Sequence, residues 1–66
     1  MQIYINGESQ IIDGIRTVAE LVEKFALNIR KVAVEVNLAI VPRSLYAETL
    51  LSDGDRIEIV QFIGGG

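Results

Sequence analysis

The 66-residue sequence contains neither cysteine nor histidine. Without cysteine the chain forms no disulfide bond and offers no thiol nucleophile, and without either residue type we expect no bound metal. The usual general base and the strongest nucleophile of enzymes are both missing, and the serines Ser9, Ser44 and Ser52 have no imidazole to activate them. We therefore predict that the chain is not an enzyme.

Long runs of one chemical character are also missing. Six basic and nine acidic residues give a net charge of -3, and the longest basic run, Arg30-Lys31, is too short for a nucleic-acid footprint. No apolar run approaches the roughly 20 residues of a membrane span, and the N-terminal residues lack the features of a signal peptide. The sequence predicts a cytoplasmic protein that is monomeric when free and binds neither nucleic acid nor membranes.

What remains is a small globular domain, in which 50% of the residues are hydrophobic. Residues 2–6 alternate between polar and apolar and predict a strand. Asn6-Gly7 is a strong hairpin signal because both turn positions favour positive φ, and residues 9–13 would form the returning strand.

One helix is predicted after this hairpin. Thr17 and Glu20 have the spacing of a capping box. Val18, Leu21, Val22 and Phe25 form one apolar stripe that we expect to face the core, and Asn28 is the expected C-terminal stop. The stripe follows from the spacing of these four residues, which is i, i+3, i+4 and i+7.

Three further segments complete the predicted sheet. Residues 32–36 alternate as a strand, a short strand ends before Pro42, and the last strand runs from Arg56 to about Phe62. The acidic turn that includes Asp53 and Asp55 suits either a turn or a cation site, and its composition favours a turn. The element order predicts an α+β, β-grasp fold, with one main helix over a mixed four- to five-stranded sheet whose last strand is central and parallel to the first.

The last strand breaks its own alternation near the end. Val60 and Phe62 fall on the face of Arg56 and Glu58, which should meet water, and Ile63 falls on the core side. Either the loop of residues 42–51 covers Val60 and Phe62, or they form an exposed apolar patch for a partner. We predict the second arrangement, with Val60, Phe62 and Ile63 as partner-binding residues.

The sequence ends in Gly64, Gly65 and Gly66. Such an end is either a loose terminus or a thin stem that enters a narrow active site, since glycine lacks a Cβ. We expect residues 1–62 to form the folded domain and residues 63–66 a flexible tail. Ordering four residues costs about 4–8 kcal/mol of backbone entropy, so affinity for a partner must come from the neighbouring surface.

Residues 40–43, residues 53–60 and the terminal glycines together resemble the bacterial sulfur-carrier proteins of thiamine biosynthesis, which are ubiquitin-like. The resemblance implies that an adenylyltransferase of the ubiquitin-activating type uses ATP to adenylate the Gly66 carboxylate. It implies that sulfur from a cysteine desulfurase then gives a thiocarboxylate, which thiazole synthase consumes. It also implies that Gly64 and Gly65 give the partner enzyme access to the Gly66 carboxylate, and that the carrier itself binds no cofactor.

Three alternatives remain open at this point. The small subunit of molybdopterin synthase uses the same tail chemistry, although such subunits tend to be longer. A protein-conjugating ubiquitin-like modifier would carry the same glycines. A regulatory or RNA-associated β-grasp module would carry them without using them, but the acidic balance and the lack of a basic stripe disfavour RNA.

Overall fold

The computed structural model describes residues 1–62, and it opens with an antiparallel hairpin of β1 (Gln2–Ile5) and β2 (Glu8–Ile11). The turn between them has positive φ at Asn6 (50°) and Gly7 (84°), as the sequence predicted. The returning strand begins and ends slightly earlier than expected, because it pairs only with the four residues of β1.

The one α-helix found in residues 1–62, α1 (Val18–Lys24), begins with the predicted capping box. The Glu20 amide donates to Thr17 Oγ1 over 3.1 Å, and the Glu20 carboxylate accepts from the Thr17 amide over 3.1 Å. The hydrogen bond from the Arg16 amide to that carboxylate, 3.0 Å long, is the main reason why the pKa of Glu20 is lowered. Val18, Leu21 and Val22 are buried as predicted.

The C-terminal end of α1 differs from the prediction. The helix ends at Lys24 because Ala26 adopts a left-handed conformation with φ of 57°. The amides of Ala26 and Leu27 then bond back to the carbonyls of Glu23 and Val22, at 2.9 and 3.1 Å. This is a Schellman motif with alanine in the position that glycine usually occupies.

Two sequence expectations are wrong as a result. Phe25 is the C-terminal cap, is 39% exposed, and lines an open groove with Leu27 and Ile59 rather than the core. Asn28 does not end α1; its side chain accepts from the Arg30 amide over 2.9 Å and begins a short 3₁₀ helix, Ile29–Lys31.

We expect Ala26→Gly to stabilise the domain. A residue with a Cβ in the left-handed region costs about 1–2 kcal/mol, and glycine removes that cost but adds flexibility to the unfolded chain, so a net gain of about 0.5–1 kcal/mol should remain. Chemical denaturation would measure the gain, with Ala47→Gly as a control outside this motif. An unchanged or lower midpoint for Ala26→Gly would contradict the role given to the motif.

The second half of the chain supplies the other three strands: β3 (Val32–Val36), β4 (Ala39–Val41) and β5 (Arg56–Gln61). A turn with positive φ at Asn37 and Leu38 joins β3 to β4, and a second 3₁₀ helix, Arg43–Leu45, begins directly after Pro42. The strand order is β2-β1-β5-β3-β4. β5 is central, parallel to β1 and antiparallel to β3.

This five-stranded mixed sheet with one α-helix confirms the predicted α+β, β-grasp fold. The core lies between α1 and one face of the sheet, and its most deeply buried side chains come from the helix and the three middle strands: Ile3, Val18, Leu21, Val22, Val34 and Ile57. The opposite face of the sheet, called the outer face below, is not covered by any helix or strand within residues 1–62.

Candidate interaction site at the end of the central strand

The end of β5 is held by hydrogen bonds up to the last described residue. Val60 pairs with Ala33 and Gln61 with Val32, and the Phe62 amide donates to the Lys31 carbonyl over 2.7 Å. The strand therefore leads residue 62 out of the sheet in a fixed direction. Any segment that follows Phe62 starts from a well-anchored position.

The parallel pairing of β1 with β5 ends at Ile57. Beyond it, the side chain of Asn6 hydrogen-bonds to β5 in place of a β1 residue. Its side-chain amide accepts from the Ile59 amide over 2.8 Å and donates to the Ile59 carbonyl over 3.2 Å. On the opposite side, the Asn37 side chain accepts from the Arg56 amide over 2.9 Å. The sequence predicted Asn6 only as a turn residue. The occurrence of an asparagine at both hairpin turns, Asn6 and Asn37, was the one sequence feature that could have indicated their hydrogen bonds to β5.

Val60 and Phe62 lie exposed on the outer face, as predicted. Their exposed fractions are 57% and 52%. They share this face with Ala33, which pairs with Val60 and is also exposed. The outer-face patch is defined here as Ala33, Val60 and Phe62, and it is contiguous with the end of β5.

The alternative, in which the loop of residues 42–51 covers Val60 and Phe62, is wrong. That segment packs on the N-terminal end of α1 instead, where the Thr49 and Tyr46 carbonyls each accept an α1 amide over 3.0 Å, from Val18 and Ala19 respectively. Tyr46 is 2% exposed. The segment therefore satisfies helix amides that would otherwise lack partners, and it leaves the patch open.

The other predicted site residues lie outside the described part of the chain. Ile63, predicted to bind a partner, and Gly64, Gly65 and Gly66, predicted to form the reactive tail, all follow residue 62. Their assignment stays a prediction. The structure of residues 1–62 describes only the surface next to which these four residues begin.

Charged residues occupy the outer face next to the patch. Glu58 on β5 lies directly opposite Glu35 on β3, and both project away from the core because their strand neighbours Ile57 and Val34 are buried. Further along, the Arg56 guanidinium lies 5.0 Å from the centre of the Tyr4 ring. The face thus changes from apolar to acidic to basic with distance from Phe62.

We expect Glu58→Gln to raise the free energy of unfolding. Like charges directly opposite each other in a sheet destabilise it by about 0.2–1 kcal/mol, and the gain should lie near the lower figure because Glu58 is exposed to solvent. The gain should shrink at high salt, which screens exposed charges. Urea denaturation at two salt concentrations would measure it, with Glu8→Gln as the matched control on β2. Equal midpoints for wild type and Glu58→Gln at low salt would contradict the expectation.

The acidic turn before β5 is structural, in agreement with the turn prediction. Asp53 accepts from the Gln2 amide over 2.7 Å, and Asp55 accepts from the Ser52 amide over 2.7 Å and from the Asn37 side chain over 2.9 Å. Within residues 1–62, no group of three or more potential metal ligands comes together. The carboxylates therefore fix the turn that leads into the central strand, β5.

No helix within the described residues combines the length and the apolar character that crossing a membrane requires.

One α-helix packed on a mixed sheet, whose central strand runs parallel to the first strand, is the β-grasp arrangement. A family model described as the ThiS family matches residues 3–66. The chain belongs to the ThiS family.

Individual relatives agree with this assignment. The sulfur carrier protein ThiS of Escherichia coli is 36% identical over 66 residues, which cover all of both chains. The crystal structure of the thiamine biosynthesis protein ThiS from Geobacter metallireducens, 32% identical, superposes over the whole of both chains with a TM-score of 0.84.

A longer type of relative also matches. The thiazole synthase of Paramagnetospirillum magneticum is 50% identical over 66 residues, which are 100% of this chain and 20% of that protein. The thiazole synthase of Magnetococcus marinus is 41% identical, again over 20% of its length. The chain therefore spans about a fifth of the length of these curated relatives.

Proposed function

We propose that the protein is the sulfur carrier of thiamine biosynthesis, with Gly66 as its reacting residue. The observation that carries the proposal is the match with the Escherichia coli sulfur carrier along the whole of both chains. In this proposal residues 1–62 form the folded domain of a free monomer, and residues 63–66 form the tail. Gly64 and Gly65 give a partner access to the carboxylate.

The chemistry begins with activation of a poor electrophile. A carboxylate reacts badly with nucleophiles because its leaving group would be oxide. In the proposed first step, a carboxylate oxygen of Gly66 attacks the α-phosphorus of ATP and releases pyrophosphate, so that AMP becomes the leaving group. A partner adenylyltransferase of the ubiquitin-activating type performs this step, and the carrier itself binds no cofactor.

The second step replaces oxygen by sulfur. A persulfide, supplied through a cysteine desulfurase, attacks the acyl adenylate and displaces AMP. Cleavage of the resulting acyl disulfide by a thiol leaves a thiocarboxylate on Gly66. Neither step requires a catalytic side chain in the carrier, which fits a sequence without histidine or cysteine. The protein therefore acts as a co-substrate and not as an enzyme.

Thiazole synthase is the proposed acceptor of the sulfur. Two thiazole synthases include a stretch similar to this entire chain, which supports a working relationship between the two. The exposed side chains of Val60 and Phe62 support a role for the outer-face patch in binding the activating partner. We propose that Ile63 adds to this contact.

Intact-mass analysis tests the proposed function directly. The chain is incubated with ATP, the adenylyltransferase and a persulfide donor, and its mass is compared with that of a sample without ATP. Replacement of one oxygen by one sulfur at Gly66, located by fragmentation, is expected only with ATP. An unchanged mass under conditions in which the Escherichia coli carrier is loaded by its own enzymes would contradict the proposal.

A further inference from the structure

Three basic residues that the proposed chemistry does not use lie near the end of β5. Arg30 and Lys31 form the last turn of the first 3₁₀ helix, and Arg43 belongs to the second. The Arg43 guanidinium donates to the Arg30 carbonyl over 3.1 Å, and the Lys31 carbonyl accepts from the Phe62 amide. These contacts place the three residues, called the basic cluster below, beside the start of the tail.

The cluster stands out against the composition of the chain. The net charge is -3, yet this cluster holds three of the six basic residues. Glu35 is the only acidic residue from position 28 through position 44. All three basic residues are exposed, and Arg43 has further donors beyond the one that holds the Arg30 carbonyl. The cluster is therefore a local positive region on an acidic molecule.

We infer that the basic cluster docks on acidic side chains that surround the tail-binding channel of the adenylyltransferase; this inference rests on the proposed function. Four residues reach at most about 13–14 Å beyond Phe62. With the tail extended into the channel, the cluster faces the mouth of the channel and the reacting carboxylate lies deeper, beside the nucleotide. Protein carboxylates at the mouth are thus the complementary partner, rather than the phosphates of ATP.

The cluster and the outer-face patch divide the binding between them. The patch supplies apolar area, which gives affinity without orientation. Charged groups at the rim of an interface act mainly on the association rate and on orientation. A cluster at the start of the tail turns the end of β5 toward the channel, although the molecule as a whole is acidic.

Charge-removing variants test the inference by steady-state kinetics. The concentration of the carrier is varied in assays of pyrophosphate release that contain ATP, the persulfide donor and the adenylyltransferase that loads the wild-type chain. For the triple variant R30Q/K31Q/R43Q we expect the KM for the carrier to rise about five- to tenfold at low salt, with kcat unchanged. The effect of salt on KM should be weaker than for wild type, because fewer charges take part.

Matched variants separate charge from folding. R16Q/K24Q removes two basic residues outside the cluster and should leave KM unchanged, and Arg43→Lys keeps the charge and should retain most of the wild-type KM. Thermal unfolding monitors the fold. If the triple variant is destabilised, the double variant R30Q/K31Q is used instead, because it keeps the hydrogen bond from Arg43 to the carbonyl of residue 30. Its KM for the carrier should also rise, by a smaller factor.

Three outcomes would overturn the inference. An unchanged KM in a folded variant would show that the cluster does not dock, and a fall in kcat alone would show that it acts on the nucleotide. A defect confined to sulfur transfer to thiazole synthase would assign the cluster to that partner. Failure of the wild-type chain to release pyrophosphate would instead contradict the proposed function itself.

Discussion

Removal of Gly65 and Gly66 is expected to abolish the ATP-dependent gain of sulfur while leaving the folded domain intact. The deletion moves the carboxylate to Gly64 and shortens the reach of the tail by about 7 Å. A displacement of even 1 Å from reacting geometry can cost about 10²-fold in rate, so no loading should be detectable. The folded domain should be unaffected because the hydrogen bonds that hold β5 up to Phe62 are made by residues that the deletion leaves in place.

Two measurements decide this prediction. Intact-mass analysis detects sulfur, and circular dichroism records the melting temperature, which should equal that of the full chain. Addition of one alanine after Gly66 serves as the matched control for chain length, since it keeps every native residue but blocks the carboxylate of Gly66; it should be equally inactive. A truncated chain that still gained sulfur would rule out Gly66 as the reacting residue.

Local sequence signals predicted most of the fold because each has a short-range physical cause. The capping box at Thr17 and the positive-φ turn at Asn6 depend on hydrogen bonds and sterics within a few residues. The central position of β5 followed from the element order. These features needed no knowledge of distant contacts.

The error at Phe25 has a specific cause. An apolar stripe at helical spacing predicts a core residue only while the helix continues. Here Ala26 turns the backbone into the left-handed region and the helix ends at Lys24. Alanine carries no sequence signal for this conformation, unlike glycine, so the stop could not be placed from the sequence.

The state of the outer-face patch also depended on distant contacts. Alternation placed Val60 and Phe62 on the outer face, but only the destination of residues 42–51 decided whether they were covered. That segment packs on α1, with Tyr46 and Leu51 buried. The basic cluster could not be predicted from the sequence either, because Arg43 contacts the Arg30 carbonyl although the two residues are 13 positions apart.

Phe62→Asp is expected to weaken binding to the adenylyltransferase strongly while changing the stability of the free domain little. Burial of a phenylalanine side chain in an interface contributes roughly 1.5–3 kcal/mol. Its replacement by a charged residue should therefore raise the KM for the carrier about ten- to hundredfold. In the free protein Phe62 is 52% exposed, so its replacement leaves no core cavity.

The opposite face of the same strand provides the contrast. Ile57 is 1% exposed, and Ile57→Ala should cost about 2–5 kcal/mol of folding free energy, much of the stability of so small a domain. Chemical denaturation compares the two variants, and pyrophosphate release at varied carrier concentration gives KM for Phe62→Asp. A large loss of stability in Phe62→Asp would make Phe62 a packing residue, and an unchanged KM would remove it from the interface. Because β5 alternates between core and outer face, one strand both stabilises the fold and presents the surface next to the tail.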